Sequence, residues 1–144
     1  MTDYCTVANV EARIKGITFS GSTAITSTEV GDFITTNSAV IDGRLNAVYE
    51  VPITGTVSLA IVKKICIYLT LPEVLEVLDD GLGRAKNDET SSIDYRDLAN
   101  QMLNKLETGE LALTDATPKT SNDFFNSNVN DSVEPVMEKD TVQW

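Results

Sequence analysis

Ser38-Ala39-Val40-Ile41-Asp42-Gly43-Arg44-Leu45-Asn46-Ala47-Val48-Tyr49-Glu50-Val51-Pro52 is the stretch on which the fold turns. Val40, Ile41, Leu45, Val48 and Tyr49 stand three and four residues apart, the spacing that aligns side chains on one face of an α-helix. Pro52 closes the stretch, because its ring and missing N–H bar further helical turns. Traced backwards, the stripe continues through Ile34, Phe33 and Val30 to Thr26, which forms a capping box with Glu29 three residues on. One amphipathic helix of about six turns is predicted, ending at the proline. Gly43 interrupts it at a cost of about 1 kcal/mol relative to alanine, which close packing of another backbone would explain. Asp42 lies beside the apolar stripe and needs either water or a partner such as Arg44, Arg96 or a helix N-terminus, with a structural hydrogen bond as its expected role.

On the N-terminal side, Thr6 caps a short helix running to about Lys15, with Val7, Val10 and Ile14 on one face and Gly16 as the stop. Ile17 to Ile25 reads as a loop or brief extended segment. On the C-terminal side, Thr54-Gly55-Thr56 makes a turn before a helix from Ser58. Leu59, Ile61, Val62, Ile65, Cys66, Ile67, Leu69 and Leu71 surround that helix on nearly every side, so it should be the one most enclosed by the others. Ile65 to Leu71 taken alone could be a strand, since it is rich in β-branched residues, but length and setting favour a helix. Pro72 either kinks this helix or starts another through Val74, Leu75 and Leu78. Gly81 to Ser91 is expected to be a polar loop. Ser91 or Ser92 then caps a last helix with Tyr95, Leu98, Ala99, Met102, Leu103 and Leu106 in its stripe and Gly109 at its end. Leu111 and Leu113 are expected to pack back on the bundle.

The predicted fold is therefore all-α: a small bundle of four to five helices over residues 1–113, followed by a long extended tail over 114–144. The tail is rich in Ser, Thr, Asn and Asp, with six carboxylates against Lys119 and Lys139, and its apolar residues are too dilute for a core. Phe124, Phe125, Val133, Val136, Met137 and Trp144 are its candidate anchors for a partner surface, because large apolar side chains carry most interface energy.

Composition narrows the chemistry. With 22 acidic and 11 basic residues the net charge is −11, which argues against a general phosphate-binding surface but would let DNA pass without adhering. The chain has no histidine, so a Ser-His-Asp triad, a Cys-His pair and histidine-ligated metals are excluded. Asp79 with Asp80, and Asp94 with Asp97, could form carboxylate pairs, although helically spaced surface acids are usually a solvated face. Gly81-Leu82-Gly83-Arg84 lacks the lysine and spacing of a phosphate-cradling loop. Cys5 and Cys66 do not form the dense pattern of a disulfide scaffold, and both are expected to be reduced thiols, Cys66 as a small buried hydrophobe. No apolar run approaches the roughly 20 residues needed to span a bilayer, and Met1-Thr2-Asp3-Tyr4 does not begin like a signal peptide. No enzyme, metal site, cofactor or membrane association is predicted.

Three pieces of the chain together resemble the head-tail connector, or adaptor, family of Mu-like phages: Tyr4-Cys5-Thr6, Ser38 to Pro52, and Tyr95 to Leu113. In the second piece the resemblance rests on Asp42, Gly43, Leu45, Tyr49 and Pro52. In the third it rests on Tyr95, Ala99, Leu103 and the ending Gly109-x-Leu111-x-Leu113. The resemblance implies a virion protein made in the host cytoplasm. Such a protein forms a homo-oligomeric ring of about twelve copies docked on the portal protein, bridging it to neck or tail-completion proteins, with DNA only in passage. The sequence departs from the family at Val48, where relatives often carry arginine, and in the Thr/Ser-rich stretch from Thr18 to Thr28, where they are often acidic. The tail lies outside the resemblance. The alternative from composition alone is a small acidic cytosolic binding or regulatory module that mimics DNA or takes a basic partner.

Overall fold

The computed structural model describes residues 2–14, 16–82 and 89–119, with side chains described outside 79–94. Among the described residues four helices follow in order: α1 (Val7–Glu11), α2 (Ser27–Leu45), α3 (Thr56–Leu82) and α4 (Glu89–Thr108). Among the described residues there is no strand, only an isolated bridge between Tyr49 and Pro118. The fold is a small all-α bundle, as the apolar spacing predicts.

The central member is α3, which packs against α1, α2 and α4. Its residues Val62, Ile65, Cys66, Ile67, Leu69, Leu71, Val74 and Leu78 are all buried, so Ile65 to Leu71 is helix and not strand. Pro72 lies inside this one helix and does not start another. The core is completed by Val30, Ile34, Ile41 and Leu45 from α2 and by Ala99, Leu103 and Leu106 from α4. Each large aliphatic side chain buried there contributes about 1.5–3 kcal/mol.

The capping box forms as expected: the Glu29 N–H donates to Thr26 Oγ1 at 3.3 Å, and the Thr26 N–H donates to Glu29 Oε2 at 2.7 Å. The end of α2 differs from expectation. The helix stops at Leu45 with Asn46 as its cap, seven residues before Pro52, so the proline is not the stop. Val48 and Tyr49 continue the apolar spacing for another reason. Residues 48–50 lie against 117–119, with the Glu50 N–H donating to the Thr117 carbonyl at 2.9 Å and the Lys119 N–H to the Val48 carbonyl at 2.8 Å. Tyr49 is buried there, with its N–H still donating to the Leu45 carbonyl at 2.8 Å beyond the end of the helix. Pro52 is exposed, in a loop entered through a cis Val51–Pro52 bond.

Other boundaries also move. Helix α1 ends at Glu11, short of Lys15, and a further turn leads to Gly16, whose φ of 84° suits glycine. Helix α4 begins at Glu89, so Ser91 and Ser92 fall within it and do not cap it. The expected loop from Gly81 to Ser91 is helical at both ends, over 81–82 and 89–91, and its middle lies outside the described residues. Residues 114–119, expected in the tail, run back over the body. Val40, at 47% exposed, and Tyr95 and Leu98, at 36% and 42%, turn outward from stripes expected to be buried. Tyr95 keeps one side of its ring on Tyr68 of α3 and the rest in solvent.

Gly43 is not explained by close packing, since a Cβ built there meets no atom within 4 Å. It is an ordinary exposed position on α2. Gly43→Ala is accordingly expected to stabilise the protein by up to about 1 kcal/mol, raising the calorimetric Tm by a few degrees.

Candidate functional site

Several residues singled out by sequence join the N-terminal segment to α2 and the segment after it, and that segment to the chain after α4. Tyr4 is the hub. Its N–H donates to Ser38 Oγ at 3.1 Å, its hydroxyl donates to Asp42 Oδ1, and the same hydroxyl accepts the Ile53 N–H at 2.9 Å. Asp42 thus has the structural hydrogen bond expected of it, with Tyr4 and not an arginine as partner. Burial and the adjacent Asp42 carboxylate push the Tyr4 phenol well above its ordinary value. On the other side of the junction the Tyr49 hydroxyl accepts the Leu113 N–H at 3.2 Å, and Leu113 is buried, which fixes the Leu111-Ala112-Leu113 return onto the bundle.

Arg44 faces away from Asp42, since residues two apart on a helix do not share a face. Its guanidinium reaches α4 instead. Nε and a terminal nitrogen bind the two Glu107 carboxylate oxygens at 2.7 and 2.9 Å, and further bonds run to Asn104 at 2.6 Å and Asn100 at 3.2 Å. The Arg44 guanidinium holds the Glu107 carboxyl below the usual carboxylate range. Both side chains are about one-third exposed, so this clamp aligns α2 with α4 more than it stabilises them.

Asp115 caps α3 from the far end of the described chain. Its carboxylate accepts the Val57 N–H at 2.7 Å, the Ser58 N–H at 2.8 Å and the Ser58 hydroxyl. An anion at a helix N-terminus meets unsatisfied N–H groups and the positive end of the macrodipole. The approach is so close that a Cβ on Gly55 would lie 2.4 Å from both Asp115 Cγ and the Asp115 carbonyl oxygen. The Ser58 hydroxyl and the two N–H groups hold the Asp115 carboxyl below its ordinary value, and the Thr26 N–H and hydroxyl do the same for Glu29. Carboxyls with folded values below unfolded ones add stability that is present above the unfolded value, near pH 4, and is lost as pH falls through the folded ones. Urea midpoints are therefore expected to fall below about pH 4, and to fall less steeply in Asp115→Asn.

Cys5 and Cys66 also meet. Their Sγ atoms lie 3.1 Å apart in the buried wall between the N-terminal segment and α3, with Ser38 Oγ 3.6 Å from Cys66 Sγ. The neighbouring Cys66 thiol and burial push the Cys5 thiol up. Separation by 60 intervening residues hid this contact from sequence reasoning; no local signal could have found it.

Of the other residues singled out, Leu45 is in the core, Tyr49 is buried, and Gly109 ends α4 with a φ of 78°. Tyr95 packs on Tyr68 with ring centroids 5.3 Å apart, and Lys64 Nζ lies 5.5 Å from the Tyr68 centroid. Phe124, Phe125, Val133, Val136, Met137 and Trp144 lie outside the described residues, and the side chains of Asp79, Asp80 and Asp94 are not described. Among the described residues no three Cys, Asp or Glu side chains form a group that could hold a metal ion, and no helix is long and apolar enough to cross a membrane. The surface turned outward carries Val40 on α2, Val57 at the start of α3, and Tyr95 with Leu98 on α4. No family model, curated protein or solved structure matches this chain.

Proposed function

We propose that this protein is a structural adaptor of a phage particle, a subunit that assembles as a ring of about twelve copies on the portal protein and bridges it to neck or tail-completion proteins. The observation carrying this proposal is that the separated pieces of sequence resembling the connector family are joined in the fold, the second to the first through Tyr4 with Ser38 and Asp42, and the second to the third through Tyr49 with Leu113. Their role is to fix the positions of the helices, which suits a protein whose work is docking and not turnover. A ring needs two different patches per subunit, one for each neighbour. Val40, Val57 and the Tyr95–Leu98 pair supply outward apolar positions on three different helices. Each contact is modest, and closure of the ring multiplies it through effective concentration. With a net charge of −11, the ring leaves DNA free to slide through its channel.

In this mechanism Phe124, Phe125, Val133, Val136, Met137 and Trp144 anchor the tail on the portal or on a neighbouring subunit. Electron microscopy of the full chain mixed with portal rings tests the proposal. A second ring stacked on the portal is the expected result, with loss of at least tenfold in affinity when residues 120–144 are removed. A chain that stays monomeric beside the portal, yet binds a basic host protein tightly, would sink the adaptor and favour the acidic binding module. A ring that forms equally well without residues 120–144 would sink the role given to the tail.

A further inference from the structure

We propose that Cys5 and Cys66 are a closable dithiol: a low-molecular-weight disulfide oxidises them to an intramolecular disulfide that fastens the N-terminal segment to α3. Both thiols are free and buried, and their Sγ atoms are 3.1 Å apart, closer than the about 3.5–4.0 Å of ordinary non-bonded packing. A disulfide bond is about 2.05 Å long, so closure asks for about 1 Å of approach by two side chains already facing each other. Two core hydrophobes would not require this pairing of sulfurs across the interface between two elements.

The two cysteines differ in how they can be reached. Cys66 is in the middle of α3, the most enclosed helix, whereas Cys5 precedes α1 in a short non-helical segment. That segment is held by the Tyr4 N–H on Ser38 Oγ and the Tyr4 hydroxyl on Asp42. Local opening of a short segment held by a few hydrogen bonds is far easier than opening of the core, and it bares both sulfurs together. The thiolate of one cysteine attacks the small disulfide, forming a mixed disulfide and expelling one small thiolate. The second cysteine's thiolate attacks the protein sulfur of that mixed disulfide, forming the Cys5–Cys66 bond and expelling the second small thiolate. The protein loses two electrons and two protons, and one small disulfide becomes two small thiols. Because the partner thiol is adjacent, the second step is intramolecular and outruns capture by another molecule. The new bond closes a loop from residue 5 to residue 66, which restricts the unfolded chain.

The test uses the native protein incubated with excess oxidised glutathione, followed by alkylation and mass spectrometry. The expected product has lost two hydrogen atoms and carries no glutathione. Tryptic digestion without reductant is expected to join peptide 1–13 to peptide 65–84. Its Tm should rise and return to the starting value after dithiothreitol. Cys5→Ser and Cys66→Ser should each show no such rise. The proposal is overturned if the native protein keeps both thiols, retains a glutathione adduct, or links only to a second copy, under conditions that oxidise the urea-unfolded chain. The wild-type mass and peptide map decide the matter even if a serine variant fails to fold.

Discussion

Gly55→Ala is expected to destabilise the protein by about 2–3 kcal/mol, the upper range for inserting a methyl into a packed contact. At this chain length that lowers Tm by roughly 10 °C. The added Cβ would sit 2.4 Å from the Asp115 carbonyl oxygen as well as from Cγ, so rotating the Asp115 side chain away does not relieve the clash. The backbone of the 113–119 segment must withdraw, taking with it the carboxylate that receives the Val57 and Ser58 N–H groups. Two measurements make this specific to the cap. Hydrogen exchange at Val57 and Ser58 should accelerate while exchange at Ile65 follows only the global change in stability. Asp115→Asn should lower Tm in the native background and have little further effect in Gly55→Ala, since both changes remove one interaction. A Gly55→Ala variant with unchanged Tm would show that α3 does not depend on this contact.

Tyr4→Phe is expected to cost about 3 kcal/mol, although the ring stays. The lost hydroxyl leaves a carboxylate without its donor on α2 and a buried N–H at Ile53 without its acceptor. Unpartnered groups of this kind cost about 1–3 kcal/mol each, and more when charged. Asp42→Asn combined with Tyr4→Phe should cost less than the two singles together, a coupling measurable by a double-mutant cycle in urea. The phenol also marks an alkaline limit. Its folded value is raised, so its contribution is fully present below the unfolded value near pH 10 and is lost as pH rises above it. Tyr4→Phe should flatten that loss above about pH 10. Unaltered alkaline behaviour and a Tm within a degree or so of wild type would mean the hydroxyl is not the hub described here.

What the sequence discloses is local order. The start of α2 is legible because Thr26 and Glu29 satisfy donors within one turn, and the end of α4 because Gly109 adopts a conformation that other residues avoid. Central α3 is legible because apolar residues surround it. The end of α2 is misread for a definite reason: Val48 and Tyr49 keep helical spacing while the backbone of 48–50 pairs with residues 117–119, about seventy positions away. Asp115 is indistinguishable from any tail carboxylate until the chain returns to α3. Asp42 is recognisable as needing a partner, but the partner lies 38 residues upstream. The Cys5–Cys66 contact is hidden in the same way. Long-range placement, rather than local propensity, separates the visible from the invisible here.

The Asp115 cap also bears on how the molecule is made. Synthesis runs from the N-terminal side, so α3 leaves the ribosome well before the residue that completes its first turn. Until Asp115 has emerged, the most apolar helix has an open amino end, even with α4 already synthesised. The body therefore lacks one of its closing contacts until nearly all of residues 1–119 have emerged, the interval in which exposed apolar surface makes a nascent chain prone to aggregate.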